Sequence, residues 1–190
     1  MGRTCHARVV LGLGVTPSAA EVSAAVAGDD LVPVADVVMD RAFTLPAPPD
    51  RVWPWFVQLG RHRAGWYWPR WIEAVLPARG RGLRRLDPAW QQLRAGDVID
   101  DWGGPDATFD VVAVDPPHAL VFRSTRGRLA FSWVILLRAD GPAATRVHLR
   151  LRIGSVRRRW LAEYGGGLVD LLTVAGLAAG LRERVADFRH

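Results

Sequence analysis

The sequence predicts an α+β fold, a curved antiparallel sheet of six or seven strands around a long C-terminal helix, with two short helices after the first strand. Three observations predict it. A half-buried strand near residue 40 is followed by two stretches at helical spacing. Five period-two stretches then succeed one another between Gly, Pro and Asp turns. The chain closes on one long amphipathic helix.

In chain order, Thr16 to Ala27 has the pattern of a short helix, with Thr16 as N-cap, Pro17 at the first helical position and Gly28 as its end. This places an N-terminal extension over residues 1–35, ahead of a main domain over 36–190. Val37 to Leu45 alternates as a half-buried strand should, and Arg41 falls in its apolar phase. A charge there must sit at the sheet edge beside an Asp or reach a partner inside a cavity, because burying it unpaired is costly.

After Pro48-Pro49-Asp50, the residues Val52, Trp53, Phe56 and Leu59 recur at helical spacing until Gly60. A second helix is expected over Trp68 to Val75, between Gly65 and Pro77. Ala78 to Gly96 is rich in Arg and Gly and reads as a loop with one helical turn around Pro88 to Leu93.

The five later strands are expected at Asp97 to Asp101, Thr108 to Val114, Leu120 to Ser124, Leu129 to Arg138 and Arg146 to Ile153. In the last, Val147, Leu149, Leu151 and Ile153 alternate with Arg146, His148, Arg150 and Arg152, which predicts one packed and one wet face. From Leu168 to Phe188 a helical stripe of Leu171, Val174, Ala175, Ala178, Leu181, Val185 and Phe188 must dock on something apolar.

A chain of 190 residues with 49% hydrophobic and 23% charged residues suits a globular domain with a sizeable core. All 25 basic residues are Arg, a bias of the kind a GC-rich genome imposes, so an individual Arg says little about a need for guanidinium. The net charge of +6 is C-terminal in origin, since residues 123–190 hold 13 Arg against 5 acids. Cys5 is alone, which excludes an internal disulfide and a cysteine zinc site and fits a cytoplasmic location. The opening stretch is too short and Gly-broken to span a bilayer and has no small-residue cleavage site. Leu168 to Leu181 contains Asp170 and also falls short of a membrane span.

Several short stretches carry a family resemblance. They are Gly28-Asp29-Asp30-Leu31-Val32, Ala47-Pro48-Pro49 with Val52-Trp53-Pro54-Trp55 and Gln58-Leu59-Gly60, Gly65-Trp66-Tyr67, and Leu93 through Gly96-Asp97. Further on come Phe109-Asp110-Val111 with Pro116-Pro117, Trp133, Thr145-Arg146-Val147 and Gly180-Leu181-Arg182-Glu183-Arg184. Over about residues 28 to 188 the chain resembles the SRPBCC superfamily, the START-like helix-grip proteins that include polyketide cyclases and the birch-pollen allergen type of carrier, in its actinobacterial form. The resemblance implies a helix-grip fold with a cavity between sheet and C-terminal helix. It implies no shared catalytic set. The chain departs from the family at Trp68 and Trp71, where a smaller or more polar pair is common, and at Gly165-Gly166-Gly167.

Candidate ligand-binding residues follow from side-chain chemistry. Trp66, Tyr67, Trp68 and Trp71 suit a planar or isoprenoid-like ligand by stacking, or else they close the core. Phe109, Phe131 and Trp133 face the C-terminal helix together with Ile135, as cavity lining if the helix stands off and as core if it packs flush. Arg41 could anchor a carboxylate or phenolate, with the Tyr67 hydroxyl as a second orienting group. If the cavity performs a cyclisation or dehydration, Glu73, Asp101, His62 and His118 are the acid and base candidates.

Other classes are poorly supported. Gly12-Leu13-Gly14 lacks a third glycine and the strand-helix-strand context of a dinucleotide site. The His residues are scattered, no HExxH or paired Cys appears, and a nucleophile elbow is missing, so neither a metal nor a cofactor is expected. Arg150, Arg152 and Arg157-Arg158-Arg159 form a basic patch without interleaved aromatics, more in keeping with a solvated face than with nucleic acid. The expected partner is an apolar small molecule, lipid, polyketide or isoprenoid-like, with a cyclase or aromatase using the same cavity as the alternative.

Overall fold

A computed structural model describes residues 13–157, 160 and 162–187. Cys5, Gly12, Arg158, Arg159 and Phe188 lie outside the described residues. Six antiparallel strands form one sheet: β1 (Val37–Leu45), β2 (Val98–Asp100), β3 (Thr108–Asp115), β4 (Ala119–Arg126), β5 (Leu129–Ala139) and β6 (Thr145–Gly154). Their order across the sheet is β1-β6-β5-β4-β3-β2, so the five later strands are a meander and β1 closes against its last member. The expected strands are all present: β1 has the expected bounds, β3 and β5 run one residue longer, β6 two and β4 three, whereas β2 is two residues shorter.

The helices are α1 (Ala19–Ser23), α2 (Pro49–Val57), α3 (Arg70–Val75) and α4 (Gly167–Asp187), the last continuous with a π-turn over Ala162–Gly166. Pro49 opens α2 at a position where its missing N–H is harmless. Trp68 precedes Pro69, which disfavours helical geometry, so α3 starts two residues later than the spacing suggests. Gly165-Gly166-Gly167 does not break the final helix. It passes through the π-turn into α4.

The expected helix over Thr16 to Ala27 is much shorter, and its N-cap is Ser18. The Ser18 hydroxyl accepts from the Glu21 N–H at 3.2 Å and the Glu21 carboxylate accepts from the Ser18 N–H at 2.7 Å, a reciprocal pair that fixes the start. The carbonyls that α1 leaves free at its end are taken by Arg150, whose guanidinium donates to Glu21 O, Val22 O and Ala24 O at 2.8 to 2.9 Å.

This contact overturns the expectation of a wet outer face on β6. His148 and Arg150 are buried, because residues 15–34 lie across that face. Asp40, directly opposite Arg150 in the β1–β6 register, accepts from Arg150 Nε at 2.8 Å and pairs with His148 Nε2 at 2.7 Å. Burial works against an ionised Asp40, but these two neighbours outweigh it and hold its pKa below the usual value. A strand read in isolation cannot show that another segment of chain covers its polar side with matched charges.

On the concave face, Phe43, Leu45, Phe122, Ile135, Leu137, Val147 and Leu149 meet α2 and the C-terminal half of α4. Val174, Ala178, Leu181 and Val185 are buried there, and Leu171 and Ala175 pack at the margin, as the stripe predicted. Gly180 lets α4 approach the Tyr67–Trp68 segment closely, since a Cβ at that position would stand 2.2 Å from the Tyr67 carbonyl oxygen. The helical run Ala162–Asp187 is long and apolar enough to cross a membrane by length and composition. Its C-terminal half is instead packed across this sheet.

Candidate functional site

The N-terminal half of α4 meets β1 through Arg41, which contacts Gly167 and Asp170. Between it and strands β3 to β6 lies a chamber of about 180 Å³, lined on the sheet side by Phe109, Phe131, Trp133 and Leu151 and on the helix side by Asp170, Thr173 and Val174. A second hollow of about 320 Å³ adjoins it past Trp66 and Trp102, and Trp68 lies against this outer part.

The sheet wall is aromatic. Trp133 stacks on Phe122 at 5.3 Å and meets Phe109 at 5.8 Å, while Trp66 lies parallel to Trp133 at 6.5 Å and edge-on to Trp102 at 5.4 Å. Trp66 Nε1 donates to the Thr173 carbonyl at 3.2 Å, which fixes the indole as a partition between chamber and hollow.

Two Arg–Asp pairs border this apolar space. Arg126 lies over the rings of Phe109 and Phe131, 5.1 and 4.8 Å from their centroids, and its Nη2 is 2.5 Å from Asp101 Oδ2. On the helix side Arg41 Nε is 2.9 Å from Asp170 Oδ2, a charge contact too poorly aligned for a hydrogen bond. Arg41 also donates from Nη2 to Gly167 O at 3.0 Å. Burial pushes the Asp170 carboxyl above the usual carboxylate range, Arg41 opposes the shift and the more distant Asp40 adds to it.

The residues expected from the sequence divide sharply. Trp66, Phe109, Phe131 and Trp133 line the chamber, and Trp68 borders the outer hollow. Tyr67 does not. It is fully buried in the core, its hydroxyl donates to the Trp55 carbonyl at 2.8 Å, and burial raises its pKa well above the usual phenol value. The Tyr67 side chain turns to the core because neighbours in an extended segment point opposite ways, so Trp66 and Tyr67 cannot both face the cavity. Trp71 lies on the exposed side of α3 and is 73% accessible. Arg41 is held in its pair with Asp170, one of the two alternatives the strand pattern left open.

Of the acid and base candidates, only Asp101 reaches the cavity. Glu73 is buried beneath α4, with Oε1 2.6 Å from Arg184 Nη2 and Oε2 2.9 Å from Arg84 Nη2. His62 is exposed beside Asp100, and His118 is exposed at the β3–β4 turn. The four do not converge. Sequence reasoning missed Asp170, Thr173, Trp102 and Arg126. Asp170 carried a signal, being an acid inside an apolar helical run.

No family model and no curated protein matches the chain. Among solved structures, a protein of Rhodobacter sphaeroides is similar at a TM-score of 0.51 and 16% identity, covering 82% of this chain and 95% of its own. The fold is a helix grip. Two further solved structures are similar at lower scores. CalU16 from Micromonospora echinospora has a TM-score of 0.44 at 17% identity over 80% of this chain and 83% of its own. A norcoclaurine synthase variant from Thalictrum flavum has 0.46 at 11% over 81% and 96%. In this helix grip the C-terminal half of α4 is packed in the core, and the aromatic chamber lies beside its N-terminal half.

Proposed function

We propose that the protein binds an apolar, ring-containing small molecule between the sheet and the N-terminal half of α4. The observation that carries this reading is the chamber beside that half of the helix, where aromatic side chains line a space that the protein does not fill. Pockets for drug-sized ligands run from about 300 to 1,000 Å³, so the 180 Å³ chamber takes a ring system and the adjoining hollow takes the remainder. Affinity comes from apolar burial at about 25 cal/mol per Å² and from stacking on Trp133 and Trp66. The Asp101–Arg126 and Asp170–Arg41 pairs give the polar edges of the ligand a fixed orientation.

A cyclase-like use of the same cavity draws support from one observation, the Asp170 carboxyl, which lines the chamber with its pKa raised by burial. Such a carboxyl is closer to the range in which proton transfer is efficient at neutral pH. Carriage is the better-supported reading, because the remaining polar groups around the chamber are already paired.

Native mass spectrometry of the purified protein against its denatured mass, followed by thermal shift with flavonoids, linear fatty acids and aromatic polyketides, tests the proposal. The Val174→Phe variant, which fills the chamber from the helix side, should keep the fold and abolish both the bound mass and the shift. Uptake that survives in this variant, or no response to any of the three classes, would place the function elsewhere.

A further inference from the structure

The outer side of the same helical segment carries a second feature that the cavity does not explain. Trp160, Tyr164, Leu168 and Leu172 recur at intervals of four, which places them along one side of a helix. All four are more than half exposed, as is Val169 beside them. Isolated exposed apolar residues are ordinary, but a contiguous stripe with two aromatics at one end marks a contact surface.

Its surroundings are basic. The hollow beside the start of this segment is lined by Arg126, Arg128 and Arg157 together with Leu129, Val156 and Ala162. Arg128 and Arg157 are exposed and form no ion pair among the described residues. In the sequence Arg157 opens the run Arg157-Arg158-Arg159, directly before Trp160, and Glu163 is the only acid between residues 155 and 169.

We infer that this face docks the protein on an anionic phospholipid surface, with Trp160 and Tyr164 seated at the headgroup level and the Arg cluster against the phosphates. Amphipathic aromatic rings favour the interface between water and acyl chains, and each basic residue near an anionic surface adds roughly a five-fold gain in partition. Leu168, Val169 and Leu172 supply the apolar face of an interfacial helix, lying in the membrane plane rather than across it. A protein partner would need acidic groups around an apolar groove. A bilayer needs only negative charge over an apolar layer, which is what an exposed stripe beside unpaired Arg residues matches. The inference rests on the outer surface of the helix and does not depend on the occupant of the chamber.

The full-length protein is sedimented with vesicles of phosphatidylcholine alone and of phosphatidylcholine with phosphatidylglycerol, at low and high salt. Binding is expected only with phosphatidylglycerol, weakening as salt screens the surface charge. The double variant Trp160→Ser/Tyr164→Ser should bind at least ten-fold less. Arg128→Gln/Arg157→Gln should bind on the order of 25-fold less, from two basic residues, with both variants unfolding at the parent temperature because these side chains are exposed. The inference is overturned if the parent ignores phosphatidylglycerol vesicles or if the aromatic variant binds as the parent does. It is equally overturned if the protein elutes as a dimer that the aromatic variant dissociates, since the stripe then belongs to a second copy.

Discussion

Replacing Glu73 by Gln separates a structural role from the chemical one its carboxyl suggests. Arg184 is fully buried beneath it, and all five of its guanidinium N–H donors have acceptors. Nε donates to Leu83 O at 2.7 Å, Nη1 to Trp68 O and Gly180 O at 3.0 Å, and Nη2 to Glu73 Oε1 at 2.6 Å and Gly82 O at 3.1 Å. Glu73 is the one anion in this set. Breaking a buried pair by removing one charge costs about 3–5 kcal/mol, and the Gln carbonyl can still accept one bond, so about 3 kcal/mol is expected. At 2–4 °C per kcal/mol for a chain of this size, the unfolding midpoint should fall by about 6–12 °C. The measurement is thermal and urea denaturation of the E73Q protein beside its capacity for the bound small molecule at low temperature. The expected result is a large loss of stability with unchanged capacity per folded molecule. A variant as stable as the parent that has lost ligand uptake or turnover would refute the reasoning and return Glu73 to the functional site.

Gly180→Ala should destabilise by up to about 2 kcal/mol, because the added Cβ meets the backbone of Tyr67 and Trp68 at 2.2 to 2.7 Å; overpacking of about 1–3 kcal/mol is set against the roughly 1 kcal/mol that Ala gains over Gly in a helix. Gly167→Ala, with nothing within 4 Å of the new Cβ, should instead stabilise by about 0.5 kcal/mol in the same denaturation assay. Arg150→Met leaves Asp40, Asp29 and three carbonyls of the N-terminal segment without this donor, a loss of about 3–5 kcal/mol, and limited proteolysis should then cut first within residues 16–34. Glu21, whose hydrogen bonds from Arg146 lower its pKa to about 2, contributes stability that is fully present above the ordinary value of 4.5 and is lost as the pH falls from there to about 2. Solvent screening of this part-exposed pair holds the contribution to about 1 kcal/mol, and Glu21→Gln should flatten the dependence of the melting temperature on pH within that window.

The strands and the final helix were legible because their signals are local. Alternation of Val147, Leu149 and Leu151 fixes a face regardless of what lies beyond it, and the stripe on α4 fixes the side that docks. What the sequence could not supply was which long-range partner each polar residue meets. The outward Arg and His of β6 carry the same alternation whether water or chain covers them. The seat of Arg150 under α1 depends on an N-terminal segment more than 100 residues away. The aromatic run at Trp66 to Trp71 failed for a related reason. Composition marks it as a cluster, yet an extended segment and a short helix send consecutive rings into the cavity, the core and solvent in turn.

The place of the cavity follows from the inward side chains of α4. Gly176 and Gly180 let the C-terminal half of α4 approach the Tyr67–Trp68 segment so closely that a Cβ on either would overlap the Trp68 ring or the Tyr67–Trp68 backbone, while Leu177, Ala178 and Leu181 are buried in the core. One and two turns earlier the inward residues are Thr173 and Asp170. An ionised carboxyl cannot be pressed against Phe and Trp without a large desolvation cost, and Arg41, reaching across from β1, supplies its counter-charge only at the edge of the sheet. A space is therefore left between this part of the helix and strands β3 to β6, while Gly167 and Asp170 stay in contact with Arg41 of β1. The space is lined by aromatic rings and carries polar groups at both margins, the Asp101–Arg126 pair on the sheet side and Asp170 on the helix side, which can hold a ring system in one orientation. Its outer flank is the stripe from Trp160 to Leu172, so one stretch of helix borders the chamber on one side and meets solvent with an apolar surface on the other.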